Sequence, residues 1–290
     1  MEIKLPFVPE RSQKPRNHGL NMVMDKGLSL RQVEDLLDTS QALIDFVKLG
    51  FGTSLVYPKI KEKLQLYKSA GIKPYLGGTL FEAFVKRNKV EDYLRLMDAW
   101  DLDVMEVSDG SIRIAPDLKC ELIHAMSKRA LVLSEVGSKE EGILIAPNKW
   151  KQMMQDELSA GAWKVIAEAR ESGTVGIYRP SGKAHTQLIN KILGVIEAEN
   201  IIWEAPQKPQ QVFWIKLLGA NVNLGNIAPE EVIPLETLRQ GLRGDTFFHF
   251  LPKDLAENEV QSLNIPDTSS YLKKSSNEGV KRKRTKTNAG

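Results

Sequence analysis

The stretch that decides the fold is Ala130-Leu131-Val132-Leu133-Ser134-Glu135-Val136-Gly137-Ser138-Lys139. It begins with an apolar run and ends in a polar loop that carries a glutamate, a glycine and a lysine. A short apolar run is typical of a parallel strand that is buried on both faces. In a parallel barrel, functional residues gather where such strands end. For this stretch taken alone, the commoner interpretation is a core strand followed by a solvated turn. The functional interpretation therefore depends on whether the same arrangement recurs along the chain.

The same order of apolar strand, polar loop and amphipathic helix occurs eight times along the chain. The predicted strands are Leu20–Met24, Leu43–Leu49, Lys73–Leu76, Val104–Val107, Ala130–Ser134, Trp163–Ala167, Ile201–Trp203 and Asn221–Leu224. Eight strand–helix units in about 230 residues predict an α/β protein with a single (β/α)8 TIM barrel, whose usual length is ~250 residues. A doubly wound open sheet is the alternative, and it is disfavoured because no Gly-x-Gly-x-x-Gly follows the first strand.

Composition limits the classes of protein that the chain can belong to. It has 290 residues, of which 42% are hydrophobic, and a single cysteine, Cys120. One cysteine excludes a disulfide framework and a multi-cysteine metal site, and it fits a reducing compartment. No segment approaches the ~20 apolar residues of a membrane span, and the first residues lack the apolar core of a signal peptide. We therefore predict a cytoplasmic protein with no membrane partner.

Three regions are expected from the pattern of polarity and charge. Residues 1–19 are a polar, proline-bearing extended lead-in, residues 20–252 form the barrel, and residues 253–290 form a basic, polar tail predicted to be disordered. The tail carries eight Lys/Arg and five Asp/Glu, whereas residues 1–252 carry 32 of each sign. The net charge of +3 therefore belongs to the tail, and the barrel has no overall bias toward nucleic acid.

Glutamates stand where four of the predicted strands end, and they are Glu106, Glu135, Glu168 and Glu204. Because the carboxyl ends of barrel strands meet at one mouth, these side chains are expected to converge there. Carboxylates that cluster in a low-dielectric cavity repel one another unless a cation neutralises them. Oxygen ligands without cysteine or paired histidines suit Mg²⁺. The alternative is that some of these glutamates only form ion pairs with nearby lysine or arginine residues.

Cations are expected at the same mouth, and they are Lys26, Lys48, Lys139, Arg170 and Arg243. A surplus of fixed cations around a metal indicates a polyanionic substrate. Phosphate in barrels often lies near the last two strands, where Asn226 and Arg243 stand in this sequence. The alternative for Arg243-Gly244-Asp245 is a helix C-terminus with a local ion pair, and the sequence favours neither.

The residues at the strand ends resemble those of the phosphosulfolactate synthase family. The resemblance runs in order from about Leu20 to Phe250. The motifs that carry it are Met24-Asp25-Lys26-Gly27-Leu28, Phe46-Val47-Lys48-Leu49-Gly50-Phe51-Gly52-Thr53-Ser54, Gly77-Gly78-Thr79-Leu80-Phe81-Glu82, Glu106-Val107-Ser108-Asp109-Gly110-Ser111, Glu135-Val136-Gly137-Ser138-Lys139, Glu168-Ala169-Arg170-Glu171-Ser172-Gly173, Trp203-Glu204-Ala205-Pro206-Gln207-Lys208, Val222-Asn223-Leu224-Gly225-Asn226-Ile227 and Leu242-Arg243-Gly244-Asp245-Thr246.

This resemblance implies a Mg²⁺-dependent lyase that forms a carbon–sulfur bond. Its substrates would be phosphoenolpyruvate and sulfite, and its product (2R)-phospho-3-sulfolactate, which serves coenzyme M or sulfolactate formation. It also implies that Lys139 is the catalytic acid. Addition of sulfite to the methylene carbon leaves an ene-diolate, which a metal ion stabilises and a positioned lysine can protonate. Glu135 is then either a metal ligand or the group that orients Lys139.

Two other functions remain open from the sequence. One is a related barrel enzyme that keeps phosphoenolpyruvate but uses a different nucleophile. The other is a non-catalytic barrel, since plant heat-stress-associated proteins resemble this family. Retention of Lys139, Arg243 and the strand-end glutamates favours the enzyme. The resemblance and the exposed barrel helices are also compatible with a homo-oligomer.

Overall fold

Eight parallel strands form one sheet in the computed structural model, which describes residues 5–137 and 145–260. The strands are β1 (Asn21–Asp25), β2 (Phe46–Leu49), β3 (Lys73–Leu76), β4 (Val104–Val107), β5 (Leu131–Val136), β6 (Lys164–Ala167), β7 (Ile201–Glu204) and β8 (Leu224–Ile227). Their hydrogen-bonded order is β3-β2-β1-β8-β7-β6-β5-β4, and the two end strands contact each other. The sheet is therefore a nearly closed barrel, which confirms the predicted (β/α)8 fold.

Helices surround this barrel and alternate with its strands. They are α1 (Leu30–Ser40), α2 (Ile60–Ser69), α3 (Gly78–Lys86), α4 (Val90–Ala99), α5 (Pro116–Ser127), α6 (Pro147–Ser159), α7 (Thr186–Leu193), α8 (Lys208–Leu218) and α9 (Val232–Arg239). The Ser29 hydroxyl accepts from the Gln32 amide and the Gln32 side chain accepts from the Ser29 amide, which forms a capping box at the start of α1. None of the helices in residues 5–137 and 145–260 combines the length and apolar composition that crossing a bilayer requires.

The connection between β3 and β4 differs from the prediction. The sequence pattern placed one helix there, marked by Tyr93, Leu94 and Met97, after a polar Gly-Gly-Thr loop. The structure has two helices, because α3 begins at Gly78, two residues after β3 ends, and α4 follows it. Leu80 and Phe81 of α3 are buried against the core. The first turn of α3 is consequently part of the barrel mouth.

Side chains alternate along each strand, and this alternation separates an apolar floor from a polar mouth. The interior of the barrel is filled by one apolar cluster, which contains Met22, Phe46, Val104, Leu133, Ile166 and Ile202. The residue two positions later on each strand points to the same interior, but nearer the carboxyl end. Those residues are Met24, Lys48, Glu106, Glu135, Glu168 and Glu204.

The last strand begins three residues later than predicted, at Leu224 instead of Asn221. The segment before it has the alternating pattern of a strand, but its asparagines bond at the amino-terminal end of the barrel. Asn221 Oδ1 accepts from the Ser12 amide at 3.1 Å, and Asn223 Nδ2 donates to the Ile201 carbonyl at 3.0 Å. These bonds take residues 221–223 out of the strand and fix the lead-in to the barrel.

Residues after the barrel form a second unit, since the chain divides into Met1–Leu251 and Pro252–Gly290. The tail predicted to be disordered begins with a short helix, α10 (Lys253–Glu257). The rest of that prediction, from residue 261 onward, lies outside the described residues.

Candidate active site

Three buried carboxylates from adjacent strands converge at the mouth of the barrel. They belong to Glu135 at the end of β5, Glu168 just after β6 and Glu204 at the end of β7. One oxygen of each lies within 4.8 Å of one oxygen of each of the others. Within the described residues, Glu106 lies outside this group of three. The structure thus brings together three of the four glutamates predicted to hold a metal.

The side chain of Lys48 lies among these acids and is buried. Its Nζ is 3.1 Å from Glu106 Oε2, 3.3 Å from Glu135 Oε2 and 3.2 Å from Glu204 Oε1. Burial by itself lowers the pKa of an ammonium group. The attraction of the three carboxylates outweighs it, and the pKa of Lys48 is raised well above its ordinary value. Lys48 is therefore a fixed positive charge at neutral pH.

Glu106 is bound at the first turn of α3. Its Oε1 accepts from the Gly78 amide at 2.5 Å, while its Oε2 pairs with Lys48. A Cβ on Gly78 would lie 2.5 Å from that same Oε1, so only glycine allows this close approach. The Gly-Gly-Thr motif therefore brings a helix N-terminus, with its favourable dipole, against a buried carboxylate.

A hydroxyl links Glu135 to a further buried acid. Ser108 Oγ lies 2.9 Å from Glu135 Oε1 and is also hydrogen bonded to Glu82 Oε1. The other oxygen of Glu82 accepts from the Ser111 amide at 2.9 Å. Glu82 stands in the quoted Gly-Gly-Thr motif, but the sequence pattern gave it no role because the additional helix α3 was not predicted.

The loop after β6 folds back on the strand end and fixes the other two acids. Glu168 Oε1 accepts from the Arg170 amide at 2.5 Å, and Glu204 Oε2 accepts from the Ala169 amide at 2.8 Å. The Ile177 amide donates to the Glu168 carbonyl at 3.1 Å. This return requires Gly176, which has φ +64° and whose Cβ would lie 1.9 Å from that carbonyl oxygen.

A cavity of about 310 Å³ opens above the acids. Its lining includes Lys48, the three converging glutamates, the Gly77-Gly78-Thr79 turn, Phe51, Arg170 and Asn226. Asn226 is 5% exposed, has φ +55°, and its Oδ1 makes no hydrogen bond with any residue in the described ranges. Arg170 also has a positive φ, of 56°. Non-glycine residues in this conformation are strained, and the surrounding structure must hold them in place. They are found most often at active sites and ligand sites.

Two further predicted site residues, Lys26 and Arg243, do not line this cavity. Lys26 is half-exposed, with Nζ 3.5 Å from Glu171 Oε2, and does not line the cavity. Arg243 does not line it either, and its Nε is 3.9 Å from Asp245 Oδ2. Asp245 also pairs with Lys208 at 3.0 Å, and these contacts lower its pKa. The local ion pair, one of the two interpretations of Arg243, is therefore present. Lys139 lies outside the described residues.

The three converging glutamates fit a divalent cation. They offer only carboxylate oxygens, the ligands that Mg²⁺ prefers. They bring three negative charges together, and Lys48 contributes one ammonium group that contacts two of them. A cation held by Glu135, Glu168 and Glu204 would reduce the remaining repulsion in this buried site.

Residues 9–245 match the sequence profile of a family described as (2R)-phospho-3-sulfolactate synthase (ComA). The chain is 43% identical to a phosphosulfolactate synthase of Methanothermobacter thermautotrophicus, over 83% of this chain and 95% of that protein. It is 40% identical to one of Bacillus subtilis, over 83% and 97%. It is 43% identical to one of Methanocaldococcus jannaschii, over 79% and 94%.

A solved structure shows the same fold at much lower sequence identity. The chain resembles 3-hexulose-6-phosphate synthase from Salmonella typhimurium with a TM-score of 0.51 and 11% identity. The match covers 77% of this chain and all of the other. At this identity the likeness concerns the fold alone.

Proposed function

This chain belongs to the (2R)-phospho-3-sulfolactate synthase family, and on that premise we propose that it adds sulfite to phosphoenolpyruvate to give (2R)-phospho-3-sulfolactate. The reaction would make it a carbon–sulfur lyase that depends on Mg²⁺. The observation that carries the proposal is the convergence of Glu135, Glu168 and Glu204, whose carboxylate oxygens lie within 4.8 Å of one another in the lining of the cavity.

The cavity can accept an anionic substrate beside these acids. Arg170 and Asn226 line it, together with the first turn of α3. The guanidinium of Arg170 suits a phosphate or a carboxylate group, and the unpaired carbonyl of the Asn226 amide faces the same space. A bound Mg²⁺ would supply positive charge beside the substrate carboxylate, where negative charge collects after sulfite adds.

Protonation completes the proposed reaction. Sulfite forms a bond to the methylene carbon, and the electron pair of the double bond moves toward the carboxylate. The neighbouring carbon must then receive one proton. Lys48 is a poor donor, because three carboxylates raise its pKa well above the ordinary range. We assign the donor role to Lys139, which the family resemblance implies as the catalytic acid.

The direct test is incubation of the purified chain with phosphoenolpyruvate, sulfite and Mg²⁺, with mass detection of the product. We expect phosphosulfolactate to form only when all three are present. If phosphoenolpyruvate is consumed with another nucleophile but not with sulfite, the result would favour a different addition reaction. No consumption of phosphoenolpyruvate with either would favour a non-catalytic barrel.

Lys139→Ala tests the donor. We expect loss of product by a factor of about 10² to 10⁴, the usual contribution of a general acid, with an unchanged thermal unfolding temperature. Lys149→Ala, an exposed lysine in α6, is the control and should keep full activity. Undiminished product formation by Lys139→Ala would exclude the proposed role.

A further inference from the structure

Lys119 in α5 is a buried lysine that does not line the cavity. Its Nζ donates to the main-chain carbonyl oxygen of Glu135 at 2.7 Å. The same Nζ lies 2.8 Å from Asp109 Oδ1 and 2.9 Å from Glu157 Oε1. All three donor positions of the ammonium group are thus used, and one of them holds the strand end that carries a candidate metal ligand.

The partners of Lys119 come from three different elements of the barrel. Asp109 lies in the loop after β4, Glu135 near the end of β5, and Glu157 in α6. Glu157 is itself fixed, because its Oε2 accepts from Ser134 Oγ at 2.6 Å. Lys119 therefore ties the main chain of Glu135 to the helices on both sides of β5.

Burial of this group is balanced by its partners. Asp109 and Glu157 contact the Lys119 Nζ at 2.8 Å and 2.9 Å, and their negative charges offset the cost of burying the ammonium group. A charged donor makes a stronger hydrogen bond to a carbonyl than a neutral one does. The contact to Glu135 is consequently a firm one.

The side chain of Glu135 is held from the opposite direction. Ser108 Oγ contacts Oε1 and Lys48 Nζ contacts Oε2. These bonds orient the carboxylate, but they do not fix the main chain from which it projects. The main chain of Glu135 lies in β5, which pairs with β6, and Lys119 adds a hydrogen bond to its carbonyl oxygen. A metal site requires its ligands to be held to a fraction of an ångström.

We propose that Lys119 is a positioning residue for the metal site, and that it acts by holding the main-chain carbonyl of Glu135. The proposal rests on the metal site of the proposed function. It requires no contact between Lys119 and substrate or metal. Removal of Lys119 should therefore weaken metal binding before any reaction takes place.

The test measures Mn²⁺ binding by electron paramagnetic resonance, without substrate. Residues that hydrogen bond to a metal ligand typically contribute about 10-fold to 100-fold to metal affinity. We expect Lys119→Met to bind Mn²⁺ at least about 10-fold more weakly than the unaltered chain. Circular dichroism would define the temperature range in which each variant is folded, and binding is compared within that range.

Lys63→Met is the matched control. Lys63 is 2% exposed and Lys119 is 1% exposed, and both pair with carboxylates near strand ends. The partner of Lys63 is Asp25 at 2.9 Å, which is not one of the converging acids. Lys63→Met should lose stability but keep its Mn²⁺ affinity within about twofold, because Lys63 forms no bond with a metal ligand.

The outcomes separate this proposal from the proposed function. If the unaltered chain does not bind Mn²⁺, the proposed metal site is wrong, and so is the proposed role of Lys119. Binding by the unaltered chain, with equal affinity in Lys119→Met, would overturn only the role of Lys119. If Lys119→Met does not fold, Lys119→Gln is measured by the same criterion, since its shorter, uncharged amide also releases the carbonyl of Glu135.

Discussion

The two ends of the barrel handle buried charge in opposite ways. At the carboxyl end, acids outnumber the ammonium group among the described residues, and Lys48 contacts three glutamates. At the amino end, the two buried cations Arg239 and Lys164 are bound by neutral oxygens, while Arg11 and Arg16 of the lead-in pair with carboxylates. Arg239 donates to the Ala220 carbonyl at 2.6 Å, to the Val222 carbonyl at 2.8 Å and to Asn21 Oδ1 at 2.8 Å.

The pKa values follow this difference. Full negative charges raise the pKa of Lys48 at the mouth. Burial lowers the pKa of Arg239, with Arg11 adding to the effect, and burial lowers the pKa of Lys164 to about 8. Lys164 opens β6 and donates to the Glu199 carbonyl at 2.6 Å. Carbonyl and amide dipoles thus bind Arg239 and Lys164 at the amino end, whereas the mouth keeps concentrated negative charge beside an open cavity.

The largest expected effect comes from removing one acid at the mouth. Glu168→Gln keeps the oxygen that accepts from the Arg170 amide but removes a negative charge from the converging group. A metal ion stabilises transition-state charge by several kcal/mol, so we expect product formation to fall about a thousandfold, equivalent to about 4 kcal/mol. The thermal unfolding temperature should stay equal or rise, because the substitution relieves repulsion between carboxylates.

Glu236→Gln is the matched substitution at the amino end. Glu236 is also buried, and its Oε1 lies 3.1 Å from Arg11 Nε of the lead-in. Here stability should fall by about 1.5 to 3 kcal/mol, the range for hydrogen bonds to charged groups, while the folded variant keeps its activity. A similar loss of activity in both variants would contradict the division of roles between the two ends.

Arg239→Met tests the closure of the amino end. The substitution leaves the Val222 carbonyl and Asn21 Oδ1 without this donor, while the Ala220 carbonyl keeps a hydrogen bond from Arg11. Each buried acceptor left unpaired costs about 1 to 3 kcal/mol, and we expect the free energy of unfolding to fall by about 3 kcal/mol. Urea unfolding at 25 °C measures it. A variant as stable as the unaltered chain would show that these bonds contribute no net stability.

A further expected effect is a pH dependence that arises from Lys164. Its pKa in the folded chain is about 8, below the value of 10.5 for an unperturbed lysine. Between these two pH values the unfolded chain binds a proton that the folded chain does not, so stability should rise as the pH increases through this window. Lys164→Met should lack this increment. Equal slopes of unfolding free energy against pH in both proteins would contradict the lowered pKa.

Local patterns predicted much of the fold correctly. Six of the predicted strands match the observed ones within two residues at each end, because a buried parallel strand has an apolar run that stops at a polar residue. The error at β8 arose because Asn221 and Asn223 alternate with apolar residues as a strand would, although their side chains bond at the amino end of the barrel. The helix α3 was missed because its first residues, Gly77-Gly78-Thr79, have the composition of a loop.

The sequence by itself determined which side chains reach the mouth. The period of two along each strand places Lys48 and the strand-end glutamates two positions beyond interior apolar residues. The strand ends are rich in carboxylates, and their motifs resemble those of the phosphosulfolactate synthase family. These features depend only on short-range order along the chain.

Only the tertiary structure decided which of these residues meet. Glu135, Glu168 and Glu204 converge because β5, β6 and β7 are neighbours in the sheet, whereas Glu106 is drawn to the first turn of α3. Lys119 reaches the Glu135 carbonyl from α5, and Arg243 pairs with Asp245 away from the cavity. Distances across a barrel depend on strand order, closure and the path of each loop, and these are properties of the whole chain that no single stretch encodes.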